Sequence, residues 1–594
     1  MKELLMGNEA IALGALAAGV KVVSGYPGTP STEVLETIAK RRTEDVYVEW
    51  SINEKTAMEV AAGAAVAGSR ALVTMKQVGL NVASDPLMCI NYVGIKGGLV
   101  VLCADDPGPI SSQTEQDTRH FGRYARIPVL DPATPEEAYQ MIQDAFELSE
   151  AIGTPIILRP TTRVCHACAS IEVAPPASRE GLGFTKDSRW YIFPRLSFMA
   201  KQKLFARETE LAEKLSAYPY NRIEGTGSVG IVCGGVSAAY VKDAVIDLGA
   251  DVKILTVATP YPFPEPLAEK FLAGIERVLV IEELDPVLED ALLLLAGKKQ
   301  LTATICGKHT GHTITAGENS HTLVRSQIAA FLGIEAPAVP TLGEGAPQLP
   351  VRPPTLCAGC PHRASFYAVK EAMAKRPAVF SGDIGCYTLG NAAPLHMVDT
   401  CLCMGAAISM PQGIARTGHD AVHFGFVGDS TFFHSGITNV INAVYNNMDE
   451  VVVILDNATT AMTGHQPHPG IGHTMMGDVS AKISIEKVLE AVGVASIRIV
   501  DPLDLVRAKK AVSEAAEEKG VRVIIFRSPC IALFKGEHTR RTNYNCIGCQ
   551  TCIKEIGCPA LSMKDDRCVI DTSLCNGCGL CEHVCPCQAI EEVK

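Results

Sequence analysis

The 594 residues lack the sequence features of membrane proteins, of general nucleic-acid-binding proteins and of secreted proteins. No apolar run reaches the roughly 20 residues of a membrane-spanning helix, so we expect no membrane partner. Lys and Arg (53) do not outnumber Asp and Glu (65), and the net charge of -12 argues against a general nucleic-acid binder. The N-terminus also lacks the positive segment of a signal peptide, because Glu3 and Glu9 interrupt it.

The composition is that of a large folded enzyme. Apolar residues make up 47% of the chain, and the length suggests about four domains. Its 22 cysteines are partly scattered and partly gathered after Tyr544, in a contiguous spacing that suits metal clusters better than a secreted disulfide framework. We therefore expect a reducing, cytoplasmic environment.

The most informative stretch joins two predicted strands, residues 424–427 and 451–455. Asp429 follows the first strand and Asn457 follows the second, and ligands bind at the carboxyl ends of strands in open α/β sheets. Mg²⁺ prefers one or two protein oxygens together with phosphate oxygens. A turn with a capping Asp would account for Asp429 but not for Asn457. The pair therefore predicts a Mg²⁺ site that holds a diphosphate.

These residues resemble the thiamine diphosphate motif, in which Gly428-Asp429 is followed about thirty residues later by Asn457. Ser430 stands where the motif usually has Gly. The resemblance implies Mg²⁺ ligation by Asp429, Asn457 and the main-chain oxygen of Thr459, and a cofactor loop around Gly464. Three nearby histidines are candidates to contact substrate, against the alternative of solvated loop side chains: His434, His465 and His468.

The first 165 residues alternate helix and strand, as in a parallel sheet with helices on both faces. The turn Tyr26–Ser31 resembles that of the 2-oxoacid:ferredoxin oxidoreductases, whose first domain holds the aminopyrimidine ring of the cofactor. The resemblance assigns Glu54, at the start of a helix predicted over residues 54–67, to hydrogen-bond ring atom N1′. Glu49 and Glu59 compete for that role, and an exposed Glu complementing the helix dipole is the alternative.

The substrate carboxylate lacks its usual partner in this sequence. The family often places an Arg after the strand that corresponds to residues 99–103, but Asp105-Asp106 stands here. Thr29, with Arg119 or Arg123, is the nearest candidate set. Cys165 and Cys168 have the spacing of half a zinc site, and we interpret them as structural because no second half follows closely.

The tail contains two cysteine runs that resemble a bacterial two-cluster ferredoxin, in which the fourth Cys of each run serves the other cluster. Zinc is the alternative for paired cysteines, but three cysteines at two-residue gaps plus a distant Cys-Pro favour iron–sulfur. Cys568 and Cys587 are left without a role. The resemblance implies one [4Fe-4S] cluster on Cys546, Cys549, Cys552 and Cys585, and another on Cys575, Cys578, Cys581 and Cys558.

A third [4Fe-4S] cluster is implied by four further cysteines with counterparts in single-cluster β subunits of the same family. Buried small hydrophobic side chains are the alternative. In addition, Pro361-His362-Arg363 replaces the family's Gly, so both interpretations stay open. The four cysteines are Cys357, Cys360, Cys386 and Cys530.

We predict a multidomain α/β chain with two doubly wound, thiamine-diphosphate-type parallel-sheet domains, a domain like the transketolase carboxyl-terminal domain, and a two-cluster ferredoxin domain. Residues 175–225 show weak periodicity and are predicted to cross between domains, and residues 337–354 are predicted to be a Pro/Gly linker. The predicted boundaries are 1–165 (pyrimidine-binding), 166–225 (connecting), 226–340 (transketolase-like), 350–535 (diphosphate-binding) and 540–594 (ferredoxin-like).

The order of these modules resembles the α subunits of the indolepyruvate branch of the family. The resemblance implies oxidative decarboxylation of arylpyruvates with coenzyme A to acyl-CoA, CO₂ and reduced ferredoxin. It also implies a smaller β subunit in an α2β2 assembly. Another 2-oxoacid:ferredoxin oxidoreductase, a non-oxidative thiamine-dependent decarboxylase, and an electron-carrying or scaffold subunit with thiamine bound elsewhere remain alternatives. The clusters favour oxidation, because single electrons can leave through them.

Overall fold

The computed structural model describes residues 2–337, 347, 349–418, 420–534, 536 and 539–593. The chain divides into two compact units, Met1–Ala346 and Pro347–Lys594. Most of the predicted linker lies outside the described residues. None of the helices in the described ranges has both the length and the apolar character needed to cross a membrane.

The first unit begins with an α/β domain built on a six-stranded parallel sheet of order β3-β2-β4-β5-β7-β6. The apolar strand β5 is buried along its whole length, as expected for a sheet covered on both faces. Strands β1 and β8 form a separate antiparallel pair. In chain order the elements are β1 (Lys2–Met6), α1 (Gly7–Ala17), β2 (Val22–Gly25), α2 (Thr32–Arg41), β3 (Tyr47–Trp50), α3 (Glu54–Val66), β4 (Ala71–Lys76), α4 (Gln77–Val93), β5 (Leu99–Ala104), α5 (Arg119–Ala125), β6 (Val129–Leu130), α6 (Pro135–Ile152), β7 (Ile156–Leu158), α7 (Thr162–His166) and β8 (Cys168–Glu172).

A second sheet of order β13-β12-β10-β11-β9 completes the first unit. Its strands run parallel except β9, which pairs antiparallel at the edge. Helix α8 precedes this sheet, in the segment for which weak periodicity predicted only a crossing. The elements are α8 (Pro194–Leu215), β9 (Arg222–Glu224), β10 (Val229–Cys233), α9 (Val236–Leu248), β11 (Lys253–Thr256), α10 (Glu265–Leu272), β12 (Arg277–Ile281), α11 (Val287–Lys299), β13 (Thr304–Cys306) and α12 (His321–Leu332).

The second unit contains a five-stranded parallel sheet of order β14-β15-β16-β18-β17. Strands β15 and β16 are neighbours, with Gly428 opposite Leu455. The helices and strands of this part are α13 (Pro361–Met373), β14 (Ala378–Ser381), α14 (Ala406–Arg416), β15 (Val422–Gly428), α15 (Asp429–Thr431), α16 (Ile437–Tyr445), β16 (Glu450–Asp456), α17 (Ile485–Val492), β17 (Ser496–Val500), α18 (Leu505–Glu517) and β18 (Val521–Arg527).

The cysteine-rich tail consists of two antiparallel strand pairs, β19 with β22 and β20 with β21, and two short helices. Its apolar residues join the core of the preceding sheet domain, in which Ile556 and Leu580 pack in the same cluster as Phe366. The tail elements are β19 (Thr539–Thr542), α19 (Thr551–Ile556), β20 (Leu561–Lys564), β21 (Arg567–Ile570), α20 (Leu580–His583) and β22 (Ile590–Val593).

Candidate active site

Asp429 and Asn457 lie at the same edge of the second unit's sheet. Asp429 is the first residue after β15 and Asn457 the first after β16, and the two side chains are 2% and 6% exposed. Because these strands are parallel neighbours, their carboxyl ends meet at one edge. A carboxylate and an amide oxygen at this edge are a donor set that fits Mg²⁺ with a diphosphate.

Hydrogen bonds hold Asp429 in place. The Ser430 N–H donates to Asp429 Oδ1 at 2.8 Å, and His468 Nε2 lies 3.1 Å from Asp429 Oδ2. Asp429 opens helix α15, which continues through a π-helical turn over Phe432–Gly436. Such turns are frequent at functional sites. The strand end therefore presents a carboxylate whose direction is set from both sides.

Asn457 is oriented by a residue from helix α13. Asn457 Nδ2 lies 3.3 Å from His362 Nε2, and the Thr459 N–H donates to Asn457 Oδ1 at 3.3 Å. Burial lowers the pKa of His362 to about 4, against the opposing charge of Asp429. The imidazole is thus neutral near pH 7 and accepts the amide proton. One lone pair of the Asn457 oxygen remains for a metal ion.

Replacing His362 by Ala is expected to weaken Mg²⁺-dependent thiamine diphosphate binding by about 10-fold to 100-fold, as for other residues that orient metal ligands. The reason is that Asn457 loses the acceptor that fixes its amide. Titration of the cofactor into the purified protein at several Mg²⁺ concentrations measures the change. His473→Ala, at an exposed position of the same unit, is the control. Equal affinity in both variants contradicts the orienting role.

Asp383 is a site candidate that the sequence interpretation did not assign. It follows strand β14, is fully buried, and accepts the N–H groups of Ile384 at 2.6 Å and Ala407 at 3.2 Å. Burial raises its pKa to about 7, against those hydrogen bonds. The sequence contained an indication of this role, because Gly382-Asp383 follows a strand in the same way as Gly428-Asp429.

The other predicted residues of this site differ in exposure. Thr459 is buried and Gly464, with a φ of 122°, lies in an exposed turn. His434 is buried, whereas His465 is exposed with a φ of 68°. His468 contacts Asp429 through its Nε2.

Glu54 opens helix α3 in the first unit and is 6% exposed. Its carboxylate packs against Gly79 of helix α4, where a Cβ atom would lie 2.7 Å from Glu54 Oε1. The competing acids differ. Glu59 is exposed and ion-pairs with Lys55, and Glu49 accepts hydrogen bonds from the hydroxyls of Tyr47 and Ser51. These contacts favour Glu54 among the three acids.

The structure corrects the interpretation of Arg119 as a substrate ligand. Its side chain is 1% exposed and spans the two sheet domains of the first unit. Arg119 Nε donates to Asp117 Oδ1 at 2.9 Å, and Nη1 donates to Glu282 Oε2 at 2.7 Å. Arg119 Nη2 donates to the carbonyls of Glu283 and Asp285. Every nitrogen of the guanidinium is therefore committed to the protein. Arg123 is exposed on helix α5, and Thr29 is half-buried with its carbonyl accepting the Ser111 hydroxyl at 3.3 Å.

Replacing Arg119 by Met is expected to lower the free energy of unfolding by about 3–5 kcal/mol, because Asp117 and Glu282 are left as buried, uncompensated charges. Denaturant unfolding measures the change. Arg123→Met, on the same helix but exposed, should stay within about 0.5 kcal/mol of the parent. Equal stabilities of the two variants contradict the structural role of Arg119.

The tail cysteines line two cavities that separate them into the predicted ligand sets. Among the residues that the structure describes, no three His, Cys, Asp or Glu side chains are arranged to hold a metal ion, so the ligand assignments stay predictions. The first cavity is lined by Cys546, Cys549, Cys552 and Cys585, and the second by Cys558, Cys575, Cys578 and Cys581. Cys568 and Cys587 also line the first cavity, where Cys568 Sγ lies 3.5 Å from Cys552 Sγ.

The four cysteines of the implied third cluster have mixed surroundings. Cys357 is exposed and the other three are half-buried. Burial, together with the nearby thiols of Cys530 and Cys357, raises the pKa of Cys386 to about 11. Cys360 also lines the second tail cavity, beside Arg363. The assignment of a third cluster to this set stays a prediction.

Three family descriptions match separate parts of the chain. "Pyruvate flavodoxin/ferredoxin oxidoreductase, thiamine diP-bdg" matches residues 13–194, and "Thiamine pyrophosphate enzyme, C-terminal TPP binding domain" matches residues 383–526. "4Fe-4S binding domain" matches residues 568–591. These matches confirm the α/β fold class with two thiamine-type domains and an iron–sulfur tail.

Curated relatives match the chain along nearly its whole length. A protein of Methanothermobacter thermautotrophicus named indolepyruvate oxidoreductase subunit IorA is 41% identical over 99% of this chain and 97% of its own. A protein of the same name from Archaeoglobus fulgidus is 39% identical over 100% of this chain and 98% of its own. Another from Pyrococcus horikoshii is 40% identical over 100% and 97%.

Proposed function

Because this chain belongs to the family of indolepyruvate oxidoreductase IorA subunits, we propose that it oxidatively decarboxylates arylpyruvates, with coenzyme A as acyl acceptor and ferredoxin as electron acceptor. The chain is a thiamine diphosphate and iron–sulfur oxidoreductase subunit. The relatives are named as subunits, which supports a second, smaller chain, in the α2β2 assembly that the family resemblance implies.

The chain's own groups have separate tasks in this proposal. Asp429, Asn457 and the Thr459 carbonyl bind Mg²⁺ and so hold the diphosphate, and His362 and His468 orient the first two. Glu54, buried against Gly79, holds the proton at ring atom N1′. Bound thiamine diphosphate supplies the carbanion chemistry of decarboxylation, and the clusters supply single-electron transfer.

The oxidative proposal rests mainly on the short segment Cys360–Arg363, which contacts both the tail cysteine cavity and the diphosphate site. Cys360 and Arg363 line the cavity of the second tail cysteine set, while His362, between them, contacts Asn457 of the diphosphate site. Arg363 also donates to the carbonyl of Gly557 at 3.0 Å, which ties helix α13 to the tail. These contacts support an electron path from the proposed thiamine site to the proposed second tail cluster.

Anaerobic reduction of methyl viologen tests the proposal. The assay contains the chain with its smaller partner, coenzyme A, and indolepyruvate, phenylpyruvate or pyruvate. We expect rapid reduction with the two arylpyruvates and slow reduction with pyruvate. Reduction with pyruvate alone indicates another 2-oxoacid:ferredoxin oxidoreductase, and release of aldehyde without viologen reduction indicates a decarboxylase.

A further inference from the structure

Lys76 lies at the edge of the first domain's sheet at which a ligand would bind. It is the last residue of β4, the third strand in the order of the six-stranded sheet, and thus stands at a carboxyl end. Its stem packs along the turn Tyr26–Ser31: a Cβ atom placed on Gly28 would lie 3.2 Å from Lys76 Cγ. A side chain at position 28 would therefore press on the Lys76 stem, which lies directly against this turn.

The Lys76 ammonium is half-buried and has no hydrogen-bond or ion-pair partner within the described part of the chain. Burial lowers its pKa, against the charges of nearby Asp106 and Glu54. Asp106 forms no ion pair with Lys76; its Oδ2 accepts the N–H groups of Ser111 and Ser112 at 2.8 Å, and its Oδ1 accepts the Thr162 hydroxyl. This partly desolvated cation therefore has acidic groups nearby but no direct counter-ion among the described residues.

The buried cations in the described part of the first unit are held by carboxylates or carbonyls of the protein. They are Arg70 on Glu150, Arg119 on Asp117 and Glu282, Arg159 on Asp105 and Asp131, and Lys308 on the Ile314 carbonyl. Arg159 Nη2 has no hydrogen-bond partner among the described residues, but its Nε and Nη1 are tied to Asp105 and Asp131. Lys76, in contrast, has no such partner on its ammonium group within the described ranges.

We propose that Lys76 binds the carboxylate of the 2-oxoacid substrate. The inference rests on the proposed function and names the group that takes the place of the missing Arg at Asp105-Asp106. The nearness of Lys76 to Glu54 places the substrate carboxylate beside the residue that acts on the cofactor ring. A lysine ammonium suits this role as a point charge on a flexible stem.

Lys76→Met retains most of the stem and removes the charge, and Lys76→Arg restores a cation. We expect the Met variant to raise KM for phenylpyruvate by about 10-fold to 100-fold, the range of a charge-assisted hydrogen bond. Thiamine content and KM for coenzyme A should not change, and the Arg variant should recover part of the loss. Lys55→Met is the control, because Lys55 is an exposed lysine of the same domain that pairs with Glu59.

Binding without turnover separates a carboxylate site from a structural role. We expect 3-phenylpropionate to bind the parent holoenzyme and lose affinity in Lys76→Met, while uncharged 3-phenylpropanol binds both equally weakly. Unchanged affinity and KM in the Met variant overturn the inference, and so does a KM increase for coenzyme A alone, which indicates a phosphate partner. If the parent enzyme oxidises no 2-oxoacid, it is the proposed function that fails.

Discussion

Replacement of Asp429 by Ala is expected to remove thiamine diphosphate from the chain while leaving its iron in place. The carboxylate is the charged member of the predicted Mg²⁺ ligand set and is 2% exposed, so its removal leaves the set without a negative charge. Loss of a metal ligand should cost at least the roughly 100-fold that loss of an orienting residue costs. Chemical analysis of thiamine and iron in the anaerobically purified variant measures both.

The control for this variant is Asp478→Ala, which removes an exposed carboxylate from the same unit. It should retain thiamine and activity at the level of the parent protein. Full activity in Asp429→Ala contradicts the Mg²⁺ site. Loss of iron together with thiamine would instead indicate that the variant has not folded, and urea unfolding of the two variants distinguishes that outcome.

Replacement of Glu54 by Gln is expected to lower kcat by about 10²-fold to 10⁴-fold with thiamine diphosphate still bound, since acid–base groups contribute on this scale. Gly79→Ala should produce a similar loss without touching Glu54. Its added methyl group would lie 2.7 Å from Glu54 Oε1 and 2.8 Å from Glu54 Cγ, so the carboxylate must move. Steady-state kinetics with saturating cofactor measures both variants.

Gly63→Ala is the matched control for Gly79→Ala. Gly63 is a helical glycine of α3, the helix that Glu54 begins, and a Cβ atom there would meet nothing within 4 Å. We expect parent-level activity and equal or higher stability, because Ala favours the helix over Gly by about 1 kcal/mol. Parent-level kcat in Gly79→Ala contradicts the claim that the position of Glu54 determines turnover.

Regular elements with strong hydrophobic patterns could be predicted from the sequence. Strand β16 has an unbroken apolar run, and the predicted 451–455 differs from Glu450–Asp456 by one residue at each end. The helix predicted over residues 54–67 ends at Val66. Helix α8 could not be predicted, because only Leu204, Leu211 and Leu215 of its 22 residues are buried and the pattern is correspondingly weak.

Contacts between distant residues could not be predicted at all. His362 and Asn457 are 95 positions apart, and their pairing depends on how helix α13 packs at the sheet edge. Arg119 was misinterpreted because its partner Glu282 is 163 positions away and follows strand β12 of the other sheet domain. The spacing of residues within a local motif was enough to select Asp429 and the cysteine runs as candidate ligands. The pairing of isolated side chains, in contrast, depends on the tertiary structure.

A single chain that binds thiamine diphosphate and also carries iron–sulfur clusters should contain both cofactors after purification. Iron and thiamine are measured per chain on protein that is purified without oxygen and assembled with its smaller partner. We expect about one thiamine diphosphate with about eight iron atoms, or about twelve if the third cysteine set holds a cluster. A colourless protein, or one that contains iron but no thiamine, would contradict this expectation.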